Sequence, residues 1–409
     1  MPKLIKVVKK QVTPAIGLLI LCNLVSISRG QDASESSKPG FNLTTKSGRM
    51  RFLPWNYRGR GFYPEGTQWA VPLPPLKAPV PLAEYEPIGK NSIFDEKAEP
   101  TKLWRAATKL LPPGRFEEAE QKYLRALELQ PDFSHAAYQL ACVYAMQEKQ
   151  AKAIEYFNRA CELRFSDYPL CYRDPYLGPV RAASEFPERL RVIRKRYLAE
   201  ASKLSGTPVV FFPEANPSSE RLPAILLLHG NARTHEEHFE DAKQWAKLGF
   251  VAIALPGSYP YLYGGFMWSE ENLEVTHTQI QRTLHDPFVG DRVDTSRVFL
   301  LGFSQGAAHA FQVAALHPDC YSGAIPIGVG GGPRVLSEQE IRPREFQPRI
   351  WFVFGEGEKG SKEYAETWIK VCERHGWQCR STSHPGGHQF PKDWDNLRPQ
   401  IAAFLLAKE

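Results

Sequence analysis

The sequence predicts an α/β protein: a doubly wound, mostly parallel sheet preceded by a small all-α region of helical repeats. Three observations lead there. From Gly206 onward, short apolar runs alternate with amphipathic stretches, as in a parallel sheet covered on both faces. Between residues 101 and 203, residue types recur at a spacing of 34, a period typical of stacked helical units. The apolar run at 298–301 ends in Gly302-Phe303-Ser304-Gln305-Gly306, and an alanine-rich, helix-forming stretch follows.

Residues 1–30 read as a secretory signal. Five basic residues and no acidic ones lie in this stretch, and an apolar run extends from Ala15 to Ile27. Small residues at Ser28 and Gly30 favour a cut ahead of Gln31. Export to the periplasm or the medium is therefore expected, with an uncleaved anchor as the alternative. Cys22 is poorly placed for lipid attachment, because Ile20 and Leu21 precede it. Removing five positive charges from the net +6 leaves about +1 for the remainder. Charge thus gives no support to nucleic-acid binding, and no stable membrane span is expected after cleavage.

Residues 31–100 are proline-rich, and the run at 73–81 favours an extended path. Interleaved aromatics such as Trp55, Tyr63 and Trp69 suggest that part of this segment lies against a folded domain.

Residues 101–203 form the helical region. Ala119 recurs as Ala153, Tyr123 as Phe157, Ala126 as Ala160 and Leu129 as Leu163. Small residues let helices approach closely, and the aromatic fills the groove between them. Together with Leu140, Ala141 and Tyr144, these positions resemble the tetratricopeptide repeat. Such arrays bind peptides, so a protein partner is one expectation. About two repeats are few for an independent solenoid, which favours a scaffold packed on its neighbour. The stretch 188–203 is read as a cap or a bridge to the next domain.

Residues 204–409 hold the sheet. Strands are expected at 208–212, 224–229, 250–255, 297–301, 322–327, 349–354 and 377–382. Helices are expected near 235–247, 270–284, 305–317, 361–375 and 393–407. Thr234 to Glu237 reads as a capping box. His235 and His238 are three residues apart, but two ligands do not make a metal site. Cys161 with Cys171, and Cys372 with Cys379, are spaced to pair after export, with buried thiols as the alternative.

The pentapeptide has the G-x-S-x-G pattern of a nucleophile elbow, a sharp strand-to-helix turn that exposes a serine above a sheet. Its glycines would allow the turn and close packing of the helix. Ser304 is thus the candidate nucleophile. In order, residues 227–231 (Leu-Leu-His-Gly-Asn), the elbow, 354–358 (Phe-Gly-Glu-Gly-Glu) and 385–388 (Pro-Gly-Gly-His) resemble the α/β-hydrolase superfamily. Within it, esterases of the phospholipase/carboxylesterase and dienelactone-hydrolase types are the most similar. The resemblance covers roughly half the chain.

That resemblance implies a triad. His388, on a loop after the last strand, would be the base, with His384 a weaker rival. Glu358 would be the acid, at a position where these families carry Asp, with Glu356 as its rival. Backbone N–H groups of Gln305 and of Asn231 or Ala232 would form the oxyanion hole. Trp268 would match a pocket tryptophan. About 22 residues separate the strand at 322–327 from the next, too few for a large lid, so a shallow, open pocket is expected unless the N-terminal region covers it. The reading is an exported serine hydrolase acting on small-molecule or lipid-like carboxylic esters or thioesters, with no cofactor and no metal. A peptidase or acyltransferase with the same triad, and a binding scaffold with an inactive hydrolase domain, are the alternatives.

Overall fold

The computed structural model describes residues 76–87, 94–111, 113–214, 220–261, 264–269, 273–330, 341 and 347–407. The expected signal segment, most of the proline-rich segment and residues 262–263 lie outside them. The described residues fall within one compact unit, Leu43–Glu409.

Among the described residues, seven α-helices precede the main body of the sheet: α1 (Glu99–Thr108), α2 (Phe116–Leu129), α3 (Ser134–Met146), α4 (Gln150–Glu162), α5 (Tyr168–Arg173), α6 (Gly178–Arg181) and α7 (Phe186–Ala201). They share one apolar core. Ala119, Tyr123 and Ala126 on α2, and Ala153, Phe157 and Ala160 on α4, are all buried. The 34-residue recurrence therefore marks core positions for three of its four pairs. The fourth differs, since Leu129 is exposed at the end of α2. From α7, Tyr197 donates a hydrogen bond to the Pro260 carbonyl at 2.9 Å, and Tyr259 packs against the helical core. The last helix thus bridges to the sheet region.

The sheet has eight strands: β1 (Val80–Pro81), β2 (Val209–Phe211), β3 (Leu222–Leu228), β4 (Val251–Leu255), β7 (Val293–Phe303), β8 (Gly323–Ile327), β9 (Arg349–Gly355) and β10 (Cys379–His384). Two short strands, β5 (Tyr259–Pro260) and β6 (Phe266–Met267), pair separately. The order across the large sheet is β1-β2-β4-β3-β7-β8-β9-β10. Only the β2–β4 pairing is antiparallel.

A parallel central strand buries both faces, so it reads as a continuous apolar run. On β3, Ala224, Leu226 and Leu228 face one core, while Ile225 and Leu227 face the other. The first core is closed by α9 (Leu273–Leu284), α11 (Gln305–Leu316) and α12 (Lys359–Arg374), and the second by α8 (Phe239–Lys247) and α13 (Trp394–Leu405). A short helix, α10 (Pro287–Gly290), precedes β7. This is the doubly wound α/β arrangement that the alternation predicts, with a small all-α region before it.

One local expectation needs correction, and two others become definite. Thr234 makes no side-chain cap; the chain enters α8 through a 3-10 turn at His235–His238. Glu237, which a capping box would turn back, pairs instead with Arg233 at 3.1 Å. Val80–Pro81 is a strand of the sheet, a pairing the proline-rich composition conceals. The six cysteines from Cys142 onward are free thiols. Cys372 and Cys379 are hydrogen-bonded neighbours, and that contact, followed by burial, pushes the Cys372 thiol far up. No helix among the described residues is long and apolar enough to cross a membrane.

Candidate active site

Strand β7 delivers Ser304 to the carboxyl edge of the sheet, and α11 starts at the next residue. The turn between them is tight. Ser304 has φ 56° and ψ −114°, a region that costs a non-glycine residue of order 1–3 kcal/mol. The strain therefore sits on the serine itself. The glycines serve close approach: a Cβ on Gly302 would lie 2.1 Å from the Gly306 carbonyl oxygen, and one on Gly306 would lie 2.2 Å from that of Leu228. Neither position admits a side chain. Ser304 is held from below by its N–H, which donates to the Ile327 carbonyl at 3.0 Å.

His388 and Glu358 meet beside this turn. Glu358 follows β9 and accepts the Gly355 N–H on Oε2 at 3.0 Å. Its Oε1 pairs with His388 Nδ1 in a short hydrogen bond. The His388 loop is laid against the end of β9: Gly357 N–H donates to the Gly386 carbonyl at 2.9 Å. With Nδ1 engaged, Nε2 is the ring atom left to exchange a proton. A methyl built on Gly330 would sit 3.4 Å from His388 Cε1 and 3.6 Å from Ser304 Oγ. Imidazole and hydroxyl thus flank one point in space.

The rivals are placed elsewhere. Glu356 is exposed, and its N–H donates to the His384 carbonyl. His384 is buried, with neither ring nitrogen hydrogen-bonded among the described residues. His388 remains open to solvent, with its side chain 46% exposed against 11% for Glu358.

The loop after β3 passes over the serine. A Cβ on Gly230 would lie 3.4 Å from both Ser304 Cβ and Phe303 Cδ1. Asn231 follows it, and Ala232 takes φ 57°, so the backbone curls at this point. Gln305 opens α11, and N–H groups in a first turn are directed out of the helix end. Both segments thus place backbone next to Ser304.

His229 anchors the loop from beneath. Its Nε2 accepts the Gly257 N–H at 2.8 Å, so Nδ1 carries the proton and donates to the Gly230 carbonyl at 2.7 Å. Burial lowers its pKa to about 3, which keeps the ring neutral.

Trp268 does not line the cleft, contrary to expectation. It is fully buried, and its indole N–H donates to the His229 carbonyl at 2.8 Å. Its backbone N–H donates to the Gln305 side chain at 3.1 Å. It ties the loop after β3 to the start of α11. His235 and His238 are buried, and burial depresses both. His235 packs its ring on Phe239 and Phe266.

Two features escaped the sequence reading. The Gly328–Gly330 segment after β8 lies against Ser304, His388 and Glu358, with Gly330 N–H donating to the Ser304 carbonyl at 3.3 Å. The glycine run at 328–332 was the available signal. Phe303, the variable residue before the serine, stacks on Phe390 at 5.3 Å and lies 4.8 Å from the His388 ring. Nothing in the sequence spacing pairs these rings.

No family model matches the chain. It is 27% identical over 188 residues to "Putative esterase NocK" of Nocardia uniformis subsp. tsuyamanensis, covering 41% of this chain and 53% of that protein. It is 30% identical over 126 residues to poly(3-hydroxyalkanoate) depolymerase C of Paucimonas lemoignei, covering 27% of this chain and 28% of that protein. The chain therefore spans about half the length of the first relative and about a quarter of the second. Among solved structures, the Bacillus cereus carboxylesterase superposes with a TM-score of 0.40 at 15% identity, covering 49% of this chain and 94% of that one. A phospholipase/carboxylesterase of Dyadobacter fermentans superposes with a TM-score of 0.38 at 13% identity, covering 48% and 95%.

Proposed function

We propose that the chain is an exported serine hydrolase of the esterase type, cleaving carboxylic esters or thioesters through an acyl-enzyme. The observation that carries this reading is the His388–Glu358 pair beside a serine in the elbow conformation. Ser304 Oγ attacks the acyl carbon as its proton passes to His388 Nε2. Glu358 holds the ring with its proton on Nδ1 and stabilises the imidazolium. The tetrahedral oxyanion takes N–H donors from Gln305 and from Asn231 or Ala232, each worth about 3 kcal/mol in comparable sites. His388 then returns the proton to the departing alkoxide or thiolate. Water repeats the sequence on the acyl-enzyme and frees the acid.

The solvent exposure of His388 favours water as the second acceptor, and so hydrolysis over acyl transfer. The names of the two relatives, "Putative esterase NocK" and poly(3-hydroxyalkanoate) depolymerase C, agree with an ester substrate. The helical region, with its tetratricopeptide-like spacing, acts in this reading as a scaffold docked through Tyr197 and Tyr259.

A fluorophosphonate probe tests the proposal on folded protein. Labelling on Ser304, lost in S304A and slowed in H388Q, is expected. An unlabelled Ser304 in folded wild-type protein sinks the enzyme reading. Short-chain esters, thioesters and peptide amides then rank the bond types. The mature protein is expected to begin at Gln31.

A further inference from the structure

Away from the Ser304 cleft, one group of side chains has the chemistry of a different site. Glu274 and His277 lie three residues apart on α9, hence on one face. His317 directly follows α11. The three side chains converge. His317 Nε2 lies 2.9 Å from Glu274 Oε1. The His277 and His317 rings stack with centroids 3.7 Å apart and planes 11° from parallel. One ligand atom from each of the three residues lies within 4.8 Å of the others.

The surroundings suit the same use. His277 Nδ1 is 2.8 Å from the phenol oxygen of buried Tyr321, which also accepts from Gln281 at 3.2 Å. That bond engages Nδ1 and leaves Nε2 as the second coordinating atom. Metal-binding imidazoles are commonly oriented through the far nitrogen in this way.

We propose that Glu274, His277 and His317 bind one divalent cation of the zinc class, with water completing a tetrahedral shell. Two imidazoles and a carboxylate select zinc-like ions over magnesium or calcium, which prefer all-oxygen shells. Tetrahedral coordination at about 2.1 Å places ligand atoms about 3.4 Å apart. The widest gap therefore closes by up to about 1.4 Å, the His317–Glu274 contact opens by about 0.5 Å, and the stacked rings splay. An ion pair at a helix end explains Glu274 beside His317; it gives no reason for His277 to complete the triangle. Since α11 has 12 residues, the site lies about 18 Å along that helix from Ser304. Its role is to clip α9 to the far end of α11, independently of the chemistry proposed at Ser304.

The test uses the full chain stripped with a chelator and titrated with zinc chloride by calorimetry. One zinc per chain is expected, with the thermal midpoint raised by about 5 °C at a hundredfold excess over Kd. H317Q and E274Q should each weaken binding at least tenfold. Both sit at partly exposed side chains, so the fold should persist, as circular dichroism would verify. The H277Q/H317Q pair should abolish binding, whereas H285Q, on an exposed histidine just past α9, should not change it. Three results overturn the proposal: no zinc uptake by wild type, uptake that survives H277Q/H317Q, or uptake lost only in H388Q. The last would place the ion on the His388–Glu358 pair.

Discussion

Replacing Glu358 by glutamine tests the acid of the proposed triad. The carboxylate does two things: Oε1 meets His388 Nδ1, and Oε2 accepts the Gly355 N–H. An amide can serve only one of them. If its oxygen stays on Gly355, its NH2 faces Nδ1 and drives the ring proton to Nε2. That atom must be unprotonated to accept from Ser304. If the amide turns over, two N–H donors face each other at Gly355. Acid-to-amide changes in other triads lower kcat by about 10⁴-fold. Here the imidazole is 46% exposed, so water offsets part of the tautomer penalty. We expect a loss of roughly 10³-fold in kcat, about 4 kcal/mol of barrier, with KM little changed. Steady-state hydrolysis of a p-nitrophenyl ester measures it. The exposed Glu356, changed in the same way, should lose less than threefold. If E358Q keeps more than a tenth of wild-type kcat, or if E356Q falls as far, the assignment of the acid is wrong.

Trp268→Phe keeps the buried ring but removes the N–H that the His229 carbonyl accepts. An unsatisfied buried carbonyl costs about 1–3 kcal/mol, so a drop of a few degrees in thermal midpoint is expected, with kcat falling more than KM. An unchanged midpoint and kcat would refute its tie to the oxyanion loop. Acid should destabilise the fold through His135, His229, His235 and His309, whose pKa values burial lowers from 6.5 to about 3. Above pH 6.5 these rings are neutral in both states, so the full stability is present. Between pH 6.5 and 3 the unfolded chain takes up protons that the folded chain refuses, and stability falls with pH. Urea midpoints at pH 8, 6, 5 and 4 should decline steadily, and a flat profile would contradict the burial of these rings.

Much of the sheet was legible because parallel strands are buried on both faces. β3, β4 and β8 are unbroken apolar runs, and each expected strand lies within a few residues of an observed one. The serine turn was legible for a related reason: a strained strand–helix junction accepts few residues other than glycine on its flanks. The choice between Glu356 and Glu358 was not. Both sit in one Gly-Glu-Gly-Glu stretch, and only the return of the 386–388 loop decides which carboxylate meets the imidazole. Trp268 illustrates a second limit. An aromatic near a site can face substrate or stand behind the backbone that does, and spacing along the chain carries no information about which. The pairing of Glu274, His277 and His317 depends on how α9 lies against α11, which no local pattern encodes.

The outermost strands among the described residues bear on how two copies of the sheet could meet. An open sheet offers unpaired backbone groups on its borders, a template on which other copies can stack. Among the described residues one border is two residues long and ends at Pro81, which has no N–H to offer an incoming chain. The other is β10, whose sequence Cys-Arg-Ser-Thr-Ser-His is polar and carries a cationic side chain, with Arg380 lying over the Trp351 and Phe404 rings. A proline on one border and a charged, polar ribbon on the other are both features that disfavour edge-to-edge pairing of strands.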